Sequence, residues 1–118
     1  MDIPTFEKLV ADARKQEDEL LRQKGHDYTQ GNADRLKNFK AIAARLNVTP
    51  MQVWAVYFFK HIDAIETFLR TGIIRSETIA GRFADARNYL YLGQALLMDT
   101  QNLDTVAPAV AQADGDCK

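Results

Sequence analysis

Asn47-Val48-Thr49-Pro50-Met51-Gln52-Val53-Trp54-Ala55-Val56-Tyr57-Phe58-Phe59 is the stretch on which the fold turns. It opens with helix punctuation. Thr49 is an N-cap, Pro50 suits the first helical position because an N–H there has no intrahelical partner, and Gln52 completes a capping box. Residues 53–59 are then apolar without a break. A helix that is apolar on every face is predicted to be buried on every face. Gly72 is the next stop signal, so this helix is expected from Pro50 to about Arg70. The run is far shorter than the roughly 20 residues of a membrane span.

Working outward, the period of the apolar residues predicts three more helices. Upstream, Leu36, Phe39, Ala43 and Leu46, with Ile42 beside them, mark a helix that begins after Asp34. Before it, Phe6, Leu9, Val10, Ala13, Leu20 and Leu21 form the stripe of a first helix, expected from an N-cap at about Thr5 to Lys24, where Gly25 follows. Downstream, Ile79, Phe83, Ala86, Leu90, Gly93 and Leu97 give the stripe of a fourth, from near Ser76 to about Met98. No strand pattern competes. The expected architecture is all-α: a single four-helix bundle-like domain over residues 1–99, with an acidic, Ala-rich tail over 100–118 that is loose or lightly docked. The third and fourth helices carry more apolar surface than a small bundle covers, so a homo-oligomer, dimer or larger, is expected.

The chain has 118 residues with 15 Lys and Arg against 16 Asp and Glu, a formal net charge of -1. That sum argues against a protein that coats a nucleic-acid polymer. By segment the charge is uneven: residues 1–21 carry -3, residues 22–45 carry +4, residues 46–98 carry +1 and residues 99–118 carry -3. Positive charge therefore gathers around Gly25. Met1-Asp2-Ile3-Pro4 has neither a basic n-region nor an apolar h-region, so no secretory signal is expected. Cys117 has no second cysteine to pair with, so a cytoplasmic setting without disulfides or a cysteine metal site is expected.

Three regions carry candidate chemistry. The first is the expected loop over residues 24–34, Lys24-Gly25-His26-Asp27-Tyr28-Thr29-Gln30-Gly31-Asn32-Ala33-Asp34, and the helix start behind it. It joins cations and hydrogen-bonding groups to a helix N-terminus, whose free N–H groups and dipole favour an anion. Gly, Asn and Asp also serve as ordinary turn residues, which leaves a plain connection as the competing reading. The second region is Lys60-His61-Ile62-Asp63-Ala64-Ile65-Glu66. Phe58, Ile62, Ile65 and Leu69 are expected on its core side, Lys60, Asp63, Ala64 and Thr67 opposite, and His61 at the flank. Lys60 follows an apolar run and is expected to be partly buried, which calls for an anionic partner. Glu66 with Arg70 is a simple i,i+4 pair. The third region is the Glu77, Gly81, Asp85 and Asn88 face of the fourth helix, expected opposite the apolar stripe. Its two carboxylates suit either a Mg²⁺ ion beside phosphate oxygens or a merely solvated face.

Lys24-Gly25-His26-Asp27-Tyr28, Asp34-Arg35-Leu36-Lys37-Asn38-Phe39, Lys60-His61-Ile62-Asp63-Ala64-Ile65 and the run from Ser76 through Arg82-Phe83-Ala84-Asp85 to Leu90 occur in that order. Over residues 6–98 this resembles the small phage-encoded helical proteins of the nucleotide-modification-associated type. Those are similar to the MazG-type all-α nucleoside-triphosphate pyrophosphohydrolases, in which acids on two helices collect Mg²⁺. The resemblance implies that Glu77 and Asp85 stand where the second-helix acids belong. Lys60-His61, with Asp63 and Glu66 nearby, replaces the first acidic cluster, and Gly81 stands where a further Asp is often found. Fewer carboxylates and more cations favour holding a nucleotide over cleaving it.

The expected function is capture, without turnover and with no required cofactor, of a small phosphorylated nucleotide, linear or cyclic. For a phage protein in the host cytoplasm this implies sequestration of a host immune signal. Lys24, Arg35, Lys37 and Lys60 are expected at phosphates, Tyr28 or Phe39 at the base, and His26, Asp27, Asn38 and Asn88 at polar edges, with His61 a further phosphate donor. The alternatives are a Mg²⁺-dependent pyrophosphohydrolase with Asp63, Glu66, Glu77 and Asp85 as ligands, and a helical module acting on a host protein.

Overall fold

The Thr49 signal operates as its sequence implies. Its hydroxyl accepts from the Gln52 backbone N–H at 3.1 Å, and the Gln52 side chain accepts from the Thr49 N–H at 2.9 Å. A computed structural model describes residues 1–29 and 33–100, and among these there are four helices and no strand. They are α1 (Ile3–Thr29), α2 (Lys37–Leu46), α3 (Pro50–Thr71) and α4 (Ile79–Thr100). α3 ends where expected, with Gly72 in the left-handed region at φ 72° donating to the Phe68 carbonyl. The expected loop residues 30–32 and the tail 101–118 lie outside the described residues.

Three boundaries are corrected. α1 starts earlier than Thr5, because the Asp2 carboxylate accepts from the Thr5 N–H at 2.9 Å and caps the helix itself. It also runs through Gly25 to Thr29, so residues 24–29 of the expected loop are helical. A helical glycine costs only about 1 kcal/mol, and here it makes room: a Cβ on Gly25 would lie 2.7 Å from Arg35 Nε. Asp34 turns the chain into α2, accepting from the Leu36 N–H at 2.9 Å and from Lys40 Nζ at 2.7 Å. α4 begins at Ile79, later than Ser76, with the Thr78 hydroxyl accepting from the Gly81 N–H at 3.0 Å.

The core joins Leu36, Phe39 and Ala43 of the α2 region to Val53 of α3 and Tyr89, Leu92 and Leu96 of α4. α3 and α4 form the most extensive interface. Trp54 meets Tyr89 and Gly93 while His61 meets Asp85, so the two helices run antiparallel. Trp54 Nε1 donates to the Tyr89 carbonyl, and its ring stacks on Phe58 at 4.9 Å. Among the described residues, no helix is long and apolar enough to cross a membrane.

Three burial expectations are overturned. Within residues 53–59 only Val53 is buried, whereas Val56 is 69% and Phe59 58% exposed. α3 turns Trp54, Tyr57, Phe58 and His61 inward, while Leu69, expected in the core, is 73% exposed. On α4 the buried face is Asp85, Ala86, Asn88, Tyr89, Leu92, Gly93 and Leu96, leaving Phe83 and Leu90 of the expected stripe exposed. Asp85 and Asn88, expected opposite the apolar stripe, thus lie on the inner face, whereas Glu77 of the same expected face is exposed. Apolar residues surround the second half of α4, so period alone could not orient it. The close approach of Trp54 over Gly93 sets its rotation.

Candidate functional site

That rotation carries charged groups into the interior. Near its C-terminal end α1 supplies Lys24, mid-α3 supplies His61, and the first half of α4 supplies Arg82, Asp85 and Asn88. Asp85 is 5% exposed. Its carboxylate lies 3.5 Å from Lys24 Nζ and 3.9 Å from His61 Nδ1. The first contact is a long ionic hydrogen bond, and the second is electrostatic only. A carboxylate this buried needs such countercharge, since removing one partner of a buried pair leaves an uncompensated charge. Arg82 reaches Glu77 at 3.7 Å and the Ser76 hydroxyl at 3.3 Å. Arg35 packs across Gly25, the residue next to Lys24.

Among the described residues, three buried polar atoms on these stretches of α3 and α4 have no hydrogen-bond partner: His61 Nδ1, Arg82 Nε and Asn88 Oδ1. Asn88 is only 4% exposed. Each such atom costs about 1–3 kcal/mol when left unpaired, and native interiors seldom leave several together. Burial pushes the His61 pKa below its ordinary 6.5, against the opposing pull of Asp85 and Glu77 and with the help of Arg82 and Lys24. His61 is therefore a neutral imidazole between an anion and two cations, its ring 4.9 Å from that of Tyr89.

The sequence candidates separate in space. Lys24 and His61 meet at Asp85, Arg35 packs across the neighbouring Gly25, and Asn88 is buried one helical turn beyond Asp85 on α4. His26 and Asp27 are exposed on the last turn of α1, and Tyr28 is helical there; Lys37 and Asn38 are half-buried in the first turn of α2. Phe39, expected as a stacking ring, is 2% exposed and meets Tyr57 and Tyr89 edge-on in the core. Lys60 is exposed, contrary to the expected burial, because the inner face of α3 passes through His61; it lines a groove between α2 and α3. Glu66 and Arg70 are both exposed. Arg82 was not among the sequence candidates, although its place three residues before Asp85 puts it on the same face.

The four acids considered for Mg²⁺ do not fit one ion. Asp63 and Glu66 are exposed on α3, Glu77 is drawn to Arg82, and Asp85 to Lys24. Among the described residues no three His, Cys, Asp or Glu side chains converge on a metal position. No family model matches the sequence, and neither does any curated protein or solved structure.

Proposed function

We propose that the protein captures a small phosphorylated nucleotide at the Lys24–His61–Arg82–Asn88 cluster and holds it without turnover. The observation that carries this reading is the set of unpartnered buried atoms in the cluster. Arg82 Nε is a donor, the neutral His61 imidazole donates from Nδ1 in one of its two tautomers, and Asn88 presents an amide that accepts and donates. Phosphate oxygens satisfy the donors, and charge-assisted bonds of this kind are the strong ones. The amide suits the mixed donor and acceptor edge of a base or sugar. Asp85 tethers Lys24 and keeps the site from being uniformly positive, which favours a ligand with a polar body over a bare polyanion.

Arg35, Lys37 and Asn38 extend the phosphate path toward the start of α2. Phe39 has no ligand contact in this reading, and Lys60 lies outside the site. The resemblance to phage nucleotide proteins extends the proposal to sequestration of a signalling nucleotide.

Calorimetric titration with a panel of linear and cyclic nucleotides tests the reading. A bound nucleotide should lose about tenfold or more in affinity in Arg82→Ala and in Asn88→Ala, the worth of one good hydrogen bond to each. Lys60→Ala should bind as the parent does. Equal binding by parent, Arg82→Ala and Asn88→Ala would place the nucleotide elsewhere.

A further inference from the structure

α1 has 27 residues, which at 1.5 Å per residue make a rod of about 40 Å. None of residues 1–12 is buried, and Ile3, Phe6 and Leu9, which share one face, are exposed. A cleft of about 650 Å³ separates this part of α1 from Phe83 and Arg87 of α4. Among the described residues, the first half of α1 is therefore an amphipathic arm whose Ile3, Phe6 and Leu9 are left uncovered, with Leu9 facing α4 only across that cleft. A second apolar feature lies elsewhere: the groove of about 370 Å³ between α2 and α3, lined by Ile42, Leu46, Val48, Val56 and Tyr57, with Lys60 among them. Leu46 and Val56 are exposed there as well.

Charge decides how these surfaces combine. Residues 2–12 hold Asp2, Glu7 and Asp12 against Lys8 alone. α2 holds Lys37, Lys40 and Arg45 with no acid; α3 adds Lys60 to the groove lining, while its Asp63, Glu66 and Arg70 lie farther along the helix and do not line the groove. Lys40 is occupied by Asp34 and Asp99, and on the arm Asp12 by Lys8, whereas Lys60, which lines the groove, and Arg45, next in sequence to its lining residue Leu46, are exposed. Pairing two arms would set acid against acid, and pairing two grooves would set cation against cation. Pairing an arm with a groove matches both charge and apolar surface.

We infer that the N-terminal half of α1 of one copy docks, Phe6 and Leu9 inward, in the α2–α3 groove of a second copy. The mode is helix-in-groove, with apolar anchors at helical spacing. The contact is head-to-tail, so it either closes into a ring or extends. It does not involve the polar cluster, and its failure would leave the nucleotide reading intact.

Sedimentation of the full chain tests the contact through two exposed, independent positions. The parent should self-associate, while Phe6→Asp, which spoils the arm, and Val56→Asp, which spoils the groove, should each sediment as single chains with unchanged helical circular dichroism. Mixed in equal amounts, the two variants should form a species of two chains, because one intact arm still meets one intact groove. Lys60→Glu should weaken parent association at low salt, and raised salt should weaken it too. A parent that stays a single chain at high micromolar concentration would overturn the inference. So would either variant associating as the parent does, or a mixture that stays single chains.

Discussion

Asp85 and His61 share a buried position that makes stability depend on pH in a definite direction. The folded protein holds His61 below its ordinary 6.5 because burial disfavours the imidazolium. As pH falls below 6.5, the unfolded chain takes up a proton that the folded chain refuses, so stability drops until His61 titrates in the folded state. Thermal unfolding followed by circular dichroism should show a falling melting temperature in this window. The fall should be shallower in His61→Gln; identical profiles would contradict the burial. Asp85 opposes the shift, so Asp85→Asn should extend the window to lower pH. The same substitution frees Lys24 from its nearest carboxylate. The sequence offered these residues individually, since Lys24, His61, Asp85 and Asn88 stood out by type. It did not offer their meeting, because they come from three helices and converge through packing. Arg82 stands in the helix-four run without being a site candidate, because the sequence makes it at most an ion-pair partner for its i,i+3 neighbour Asp85.

At the scale of elements, capping chemistry was more legible than burial. Thr49-Pro50 and Gly72 act through their own backbone neighbours, so the limits of α3 followed directly from local sequence. Which face of α4 turns inward depends on a nonlocal contact, the Trp54 ring over Gly93. A Cβ on Gly93 would sit 2.5 Å from that ring. Trp54 has little freedom to yield, being stacked on Phe58 and bonded to the Tyr89 carbonyl. Gly93→Ala should therefore destabilise by about 1–3 kcal/mol through overpacking, against the roughly 1 kcal/mol that Ala gains in an unstrained helix. Chemical denaturation measures the balance, and a stabilised variant would show that Trp54 moves aside freely. At Gly25 the obstructing atom belongs to the flexible Arg35 side chain. Gly25→Ala should thus leave stability near that of the parent and weaken nucleotide binding by displacing Arg35.

At the scale of the molecule, the all-α class followed from period and punctuation, while the way surface is distributed did not. The apolar run 53–59 gave correct evidence of a helix and misleading evidence of enclosure, since Val56 and Phe59 face outward. Of the exposed apolar groups, Phe6 and Leu9 of α1, Leu46 of α2 and Val56 of α3 are among those that the arm-and-groove contact would cover. The uneven charge acquires a similar division of labour: the +4 stretch over residues 22–45 supplies Lys24 and Arg35 to the polar cluster and Arg45 to the groove. Nucleotide capture without turnover is the central claim, and recovery of ligand tests it most directly. The protein is incubated with a nucleotide panel in the presence of Mg²⁺, separated from free ligand, denatured, and its released small molecules identified by mass spectrometry. The expected result is one intact phosphorylated nucleotide in stoichiometric yield, lost in Arg82→Ala. Monophosphate with pyrophosphate, or no retained nucleotide, would contradict it.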